Sequence, residues 1–176
     1  MAEFERTRIR EREAPQQNAY EEALKRSQDR ALRNANGRIV CKEADCPQML
    51  TRQGRLRYYL ASTVQDTPLQ DWIVFTHEIR TVSGKHRHQG GLIIYVIEGK
   101  GYSVVNGVRC DWEKGDLVLL PLHEKGVEHQ HFNVDPDKPS VWMAFINEAI
   151  HQHVASEMTQ TEVSPEYKKA QESGAA

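Results

Sequence analysis

Four histidines of the chain stand in two pairs, and a single residue separates the members of each pair. The first pair is His86 and His88, and the second is His129 and His131. Residues two apart on an extended strand point to the same face, so both members of a pair can reach one point in space. Imidazole nitrogens bind zinc, copper, nickel and iron alike. Two such pairs predict a metal site that closes across the interior of a β-structure; the alternative is a barrel whose interior histidines are hydrogen-bonded and hold no metal.

The elements that must position these pairs are strands. From Arg55 onward, short runs rich in β-branched and aromatic residues alternate with turn signals, a pattern typical of strands. Asn106-Gly107 is a strong hairpin signal, because a type I′ turn needs a positive φ at both central residues. Short runs without an intervening helix predict an all-β antiparallel barrel or double-sheet jelly roll. The runs are RLRYYLA, DWIVFTHEIRTVS, LIIYVIEG, GYSVV, VRCDW, DLVLLP, VEHQHFNV and SVWMAFIN.

Polar segments flank the predicted barrel. Residues 1–17 alternate in charge and predict a disordered or loosely helical arm. Asn18 and Glu21 stand at capping-box spacing, and the following apolar residues predict one helix that ends near residues 36–37. We therefore expect an arm and helix over residues 1–37, the barrel over 38–150 and a polar tail over 151–176 that is frayed at its end.

Three further histidines are interpreted without a metal. His151 and His153 form a third pair, but they lie beyond the last predicted strand, so we expect them in the solvated tail. His77 falls on the apolar alternation of DWIVFTHEIR. That position favours a core histidine over a ligand.

Composition restricts the classes of function. The chain has 176 residues, enough for one domain with a core. Its 23 basic and 25 acidic residues nearly balance, so no nucleic-acid or membrane partner is expected. No apolar run approaches the roughly 18 residues of a membrane span, and the charged N-terminus is unlike a secretory signal. We expect a cytoplasmic protein with reduced cysteines that acts on a small molecule.

Two motifs resemble those of the cupin superfamily. Residues 81–101, TVSGKHRHQGGLIIYVIEGKG, resemble the first cupin motif, and residues 115–133, GDLVLLPLHEKGVEHQHFN, resemble the second. The resemblance implies a cupin-type antiparallel β-barrel, a double-stranded jelly roll, with an N-terminal helical extension. The first motif departs at Leu92, where most cupins have a glutamate ligand.

The closer resemblance is to three-histidine cupins, especially to gentisate 1,2-dioxygenase and its salicylate-cleaving relatives. In that family both histidines of the first motif and the first histidine of the later pair hold iron, which implies His86, His88 and His129 as metal ligands. The second histidine of the later pair, His131, would stand beside the substrate as an acid or base. Family analogy also implies a homodimer, in which the N-terminal helix or the strand RLRYYLA could serve as a contact.

The same resemblance suggests what lines the substrate pocket. Those dioxygenases have an arginine six residues beyond the H-x-H pair that receives a ring carboxylate, and here that position is Ile94. An apolar residue would leave the carboxylate unpaired in a closed pocket, which costs several kcal/mol. A neutral phenolic, hydroquinone-like or β-dicarbonyl substrate is therefore favoured over gentisate and salicylate. Leu92 and Asn133 are the other pocket candidates, and Gln89 is a minor one, because it points off the ligand face of a regular strand.

Three neutral ligands suit oxygen chemistry. They leave the charge of a divalent ion uncompensated and, on one face of an octahedron, leave three positions open for a chelating substrate and O2. We therefore expect an Fe(II)-dependent dioxygenase that cleaves a C–C bond, as in aromatic compound catabolism. Iron follows from the resemblance alone, since Zn, Mn, Ni or Cu could take the same ligands. A metal-dependent lyase or isomerase and a non-catalytic cupin that binds a small ligand remain alternatives.

Overall fold

A capped helix precedes the strands. The computed structural model describes residues 18–175, so the predicted arm over residues 1–17 lies outside the described residues. Helix α1 spans Ala19–Asn36, as the sequence pattern predicts. The side chain of Asn18 accepts a hydrogen bond from the backbone N–H of Tyr20 at 3.0 Å, which satisfies one of the free donors of the first turn. Helix α1 belongs to one compact unit, and the chain from Arg38 onward forms another.

Eleven strands, two further helices and one 3₁₀ turn lie in the described part of the second unit. The 3₁₀ turn is Glu43–Asp45. The strands are β1 (Gln48–Thr51), β2 (Gly54–Leu60), β3 (Trp72–Ile79), β4 (Lys85–His88), β5 (Leu92–Glu98), β6 (Lys100–Val105), β7 (Val108–Glu113), β8 (Leu117–Leu120), β9 (Val127–Asn133), β10 (Ser140–Asn147) and β11 (Thr159–Glu162). The helices are α2 (Glu148–His153) and α3 (Pro165–Glu172).

The strands form two antiparallel sheets. The first sheet has the order β1-β2-β3-β10-β5-β8, and the second has the order β11-β4-β9-β6-β7. This arrangement confirms the predicted all-β cupin-type jelly roll. The strands that carry the paired histidines, β4 and β9, are neighbours in the second sheet. The strand RLRYYLA, suggested above as a dimer contact, is largely β2, which pairs with both β1 and β3 and is therefore not an edge.

The predicted hairpin lies between β6 and β7. Val105 pairs with Val108, and the two residues between them, Asn106 and Gly107, have φ angles of 48° and 83°. Positive φ at both positions is what a type I′ turn requires.

The core lies between the two sheets. Along β5, the buried residues Leu92, Ile94 and Val96 alternate with exposed neighbours. This alternation follows from the period of two in a strand that has one face against the core. Trp142 and Ala144 of the adjacent strand β10 complete the same buried surface. The alternation thus turns one face of the first sheet toward the histidines.

The C-terminal segment is structured, and the expectation of a frayed end is wrong for residues 165–172, which form α3. Strand β11 extends the second sheet, where Gln160 lies opposite His86. Ser164 caps α3 and accepts a hydrogen bond from the backbone N–H of Tyr167 at 3.3 Å. The helix signal was present as a serine N-cap followed by Pro165. Every helix among the described residues is too short or too polar to cross a membrane.

Candidate metal centre

Three histidines meet on the inner face of the second sheet. Each of His86, His88 and His129 offers one ring nitrogen, and these atoms lie within 4.8 Å of one another. Strand pairing produces the cluster, because His86 lies directly opposite His129. The ring centroid of His129 is 4.1 Å from that of His86 and 5.0 Å from that of His88. The three implied ligands are therefore brought to one point by β4 and β9.

The donor set fits a divalent metal. Burial, with nearby histidines adding to it, lowers the pKa of His86 to about 2 and that of His88 to about 3. Burial lowers the pKa of His129 to about 4. The rings are thus neutral at pH 7, the form that binds metal. Nδ1 of His129 donates to the carbonyl oxygen of Val127 at 3.4 Å, which leaves its other nitrogen without a proton and available to an ion.

The turn after His88 orients the ring of His88. The backbone N–H of Gly90 donates to Nδ1 of His88 at 3.0 Å, and Nε2 of His151 bonds the carbonyl oxygen of Gly90 at 2.6 Å. His151 is half-buried behind the ligand and does not lie in a solvated tail, which corrects the interpretation from sequence.

The cluster opens into a cavity of about 420 Å³ between the sheets. One wall carries the histidines of the second sheet. The opposite wall is aromatic: the ring centroid of Phe75 lies 5.2 Å from that of Tyr58 and 5.9 Å from that of Trp142. No acidic side chain, arginine or lysine of the described residues lines the cavity. The space is therefore uncharged and suited in size to one small ring.

Two of the predicted pocket residues line this cavity. Leu92 and Ile94 are 6% and 1% exposed and face the histidines from the first sheet. They reach this position because the chain crosses between sheets at Gly90 and Gly91, where φ is 79° and 72°. An added Cβ at Gly90 would lie 2.0 Å from the carbonyl oxygen of Pro121, so only glycine allows this crossing.

Gln89, the minor pocket candidate, does not line the cavity. Its side-chain oxygen accepts from the backbone N–H of Glu157 at 2.7 Å. Its own backbone N–H donates to Oγ of Ser156 at 3.3 Å. These bonds turn the side chain outward and fasten the segment after α2 to the ligand-bearing turn.

Asn133 also lies away from the cavity, and its role is structural. Its side-chain amide donates to the carbonyl oxygens of Asp135 at 2.7 Å and Lys138 at 2.8 Å. Asn133→Ala is expected to lower the free energy of unfolding by about 1–3 kcal/mol, because these carbonyls lose their donor. Denaturant unfolding and a metal titration check this prediction. Loss of metal binding with unchanged stability would contradict it.

His77 and His131 are additional histidines of the cavity wall. Burial lowers the pKa of His77 to about 3 and, with the adjacent His129, holds the pKa of His131 well below 6.5. The ring of Trp142 lies between them, with its centroid 4.8 Å from His77 and 5.0 Å from His131. His77 is the buried histidine that the sequence predicts, but it borders the cavity and not only the core.

The low pKa of His77 predicts acid lability of the metal-free chain. The unfolded state takes up a proton near pH 6.5, whereas folded His77 stays neutral down to about pH 3. Stability should therefore fall as the pH drops from about 6.5 toward 3, by about 1.4 kcal/mol per pH unit for each such histidine. Between pH 7.5 and pH 5, the free energy of unfolding should fall by about 2 kcal/mol less in His77→Leu than in the natural chain. Denaturant unfolding at the two pH values measures this difference. An equal loss in both proteins would contradict the assignment.

Comparison with known proteins agrees with this geometry. Residues 74–146 match the cupin domain family. Gentisate 1,2-dioxygenase of a Ralstonia species is 37% identical over 59 residues, which cover 33% of this chain and 16% of that protein. Its counterpart in a Streptomyces species is 37% identical over 65 residues, which cover 36% of this chain and 17% of that protein. The matched segment thus spans about a sixth of these relatives.

Two solved structures share the fold. Pac13 of Streptomyces, a nucleoside dehydratase, has a TM-score of 0.53 and 10% identity, with 74% of this chain and 96% of that chain covered. Salicylate 1,2-dioxygenase of Pseudoaminobacter salicylatoxidans has a TM-score of 0.51 and 17% identity, with 79% of this chain and 35% of that chain covered. At these identities the likeness concerns the fold alone. Residues 74–146 thus match a cupin domain within the two-sheet barrel, and the cluster of His86, His88 and His129 lies inside that matched segment.

Proposed function

We propose that the chain is an Fe(II)-dependent dioxygenase that cleaves a C–C bond of a small oxygenated substrate. The observation that carries the proposal is a cluster of three neutral histidines, without a carboxylate among the described residues, on the wall of an uncharged cavity. The partial sequence likeness to gentisate 1,2-dioxygenases supports the same reaction class.

The residues of the site have different roles in this proposal. His86, His88 and His129 would hold the iron, and bound Fe(II) would supply coordination positions for a chelating substrate and for O2. Leu92 faces the cluster and keeps a fourth, anionic ligand out of the cavity. Both atoms of O2 would enter the product as the C–C bond breaks, so no external reductant is needed.

The cavity favours a neutral, flat substrate. Ile94 is 1% exposed and offers no charge to a ring carboxylate. Tyr58, Phe75 and Trp142 present an aromatic wall, against which a phenolic or hydroquinone ring can pack. A β-dicarbonyl compound of similar size would satisfy the same chelation chemistry.

A lyase or dehydratase that needs no O2 is the second candidate. Three imidazoles also suit zinc, and Pac13, which shares the fold, is a nucleoside dehydratase. The two candidates differ in one measurable requirement, the consumption of O2.

Oxygen uptake tests the proposal. The chain is purified without oxygen, its metal is analysed, and Fe(II)-loaded protein is mixed with a panel of phenolics, hydroquinones and β-diketones. We expect iron-dependent O2 consumption with at least one neutral substrate and none with the zinc-loaded chain. Iron-loaded protein that binds metal but consumes no O2 with any of them would count against the dioxygenase.

We also propose a homodimer formed through the outer face of the first sheet. Ile93 and Tyr95 of β5 lie opposite Leu119 and Leu117 of β8, and all four are between 43% and 64% exposed. A continuous apolar surface of this kind marks a protein interface. Sedimentation should give a dimer for the natural chain and a monomer for Leu117→Lys combined with Leu119→Lys. A monomeric natural chain would contradict this assembly.

A further inference from the structure

A buried hydroxyl lies behind His131. Ser103 of β6 is directly opposite His131 of β9, and it is fully buried. Its Oγ lies 2.6 Å from Nδ1 of His131. The indole N–H of Trp112 donates to the same Oγ at 2.9 Å. Ser103 is not part of the cavity wall, so it approaches His131 from the side away from the cavity.

The donors and acceptors of this group can be counted. An indole nitrogen only donates, so Oγ of Ser103 must accept from Trp112. The hydroxyl proton then needs an acceptor of its own. Among the described residues, Nδ1 of His131 is the one partner in a position to accept it. Nδ1 therefore carries no proton, and the ring proton is on Nε2.

The other neutral tautomer leaves a buried group unsatisfied. If Nδ1 carried the proton, as in the opposite tautomer, it would donate to Oγ of Ser103. The hydroxyl proton would then be enclosed without an acceptor. Leaving a buried polar group unpaired is unfavourable, so the network selects one tautomer.

We infer that Ser103 and Trp112 hold His131 as the neutral tautomer with its proton on Nε2. His131 can then donate a hydrogen bond from Nε2 at the cavity wall. Resting on the proposed function, this makes His131 a donor to a substrate oxygen in place of the acid or base that the sequence suggested. Ser103 and Trp112 are positioning residues, since they act through His131.

Nuclear magnetic resonance reads the tautomer directly. Long-range proton–nitrogen correlation on the full-length chain, labelled with nitrogen-15 and loaded with diamagnetic Zn(II), separates the two neutral tautomers and the imidazolium. His131→Gln assigns the signals. We expect a single Nε2–H pattern for His131 at neutral pH. Because the spectrum can be recorded with or without zinc, failure of the metal site and failure of this inference are distinguishable.

Variants test the cause of the preference. Ser103→Ala and Trp112→Phe should each replace the single pattern with averaged signals of the two tautomers. Ser103→Ala removes the hydroxyl that donates to Nδ1. Trp112→Phe removes the indole donor, so that the hydroxyl is free to accept a hydrogen bond from a protonated Nδ1. Ser83→Ala is the matched control, since the Ser83 hydroxyl accepts from the backbone N–H of His131 at 2.9 Å and leaves the ring untouched. It should keep the natural pattern.

The outcomes decide the inference. An Nδ1–H pattern in the natural chain would overturn it without any variant. An unchanged Nε2–H pattern in both Ser103→Ala and Trp112→Phe would also overturn it. If Ser103→Ala does not fold, the natural spectrum and Trp112→Phe still give the answer.

Discussion

Replacing His129 with alanine is expected to abolish metal binding. His129 is the member of the cluster on β9, and its ring lies 4.1 Å from that of His86 and 5.0 Å from that of His88. Without it, only the two ligands of β4 remain, and no carboxylate of the described residues joins them. The loss of metal affinity should be greater than the roughly 10–100-fold loss that follows when a hydrogen-bond partner of a metal ligand is removed. Titration of the purified chain with Fe(II) or Zn(II) measures it.

His131→Ala is the matched control for that experiment. Its ring lies 5.2 Å from that of His129, and it is just as buried, yet it does not belong to the cluster. This variant should keep its metal and lose turnover, because only the hydrogen-bond donor at the cavity wall is removed. Equal loss of metal in both variants would mean that the later pair contributes two ligands.

Leu92→Glu is expected to make the stability of the chain depend on metal. Leu92 is 6% exposed and lines the cavity beside the histidines. Without metal, a carboxyl group there would be buried without a partner, which should lower the free energy of unfolding by about 1–3 kcal/mol. With metal, the carboxylate would gain a cation and become a fourth ligand, so binding should restore the loss. Oxygen consumption should fall, since the new ligand takes a position that the substrate and O2 need.

Leu92→Gln separates charge from size in this prediction. The amide has nearly the same volume as the carboxyl group and the same burial, but it carries no charge. Denaturant unfolding with and without Zn(II) should show a larger metal-dependent gain for the glutamate variant than for the glutamine variant. Equal gains in the two variants would contradict a ligand position at residue 92.

Much of the barrel could be predicted because it follows local rules. The alternation of β5 fixes which side chains face the core, and Asn106-Gly107 fixes one hairpin. The two histidine pairs gave three members of the cluster because residues two apart share a face. The pairing of β4 with β9 could not be predicted from such local rules, and this pairing sets His86 opposite His129.

The remaining features depend on contacts that no local pattern records. Strand β11 has the polar sequence TQTE, without an apolar alternation, and it is a strand because it pairs with β4. His151 reaches the turn after His88 from 61 residues away. Asn133 was expected in the pocket because it shares a strand face with His129 and His131, and Gln89 was a minor candidate beside His88. Gln89 and Asn133 instead bond to neighbouring loops and turn away from the cavity.

The fate of O2 tests the central claim most directly. The Fe(II)-loaded chain is supplied with heavy-isotope O2 and the neutral phenolic, hydroquinone or β-dicarbonyl substrate that supports the greatest uptake, and the product is analysed by mass spectrometry. We expect a product of C–C cleavage that contains both labelled atoms, and no such product with His129→Ala. Turnover of the substrate without incorporation of labelled oxygen would contradict the dioxygenase and identify the chain as a metal-dependent lyase or isomerase.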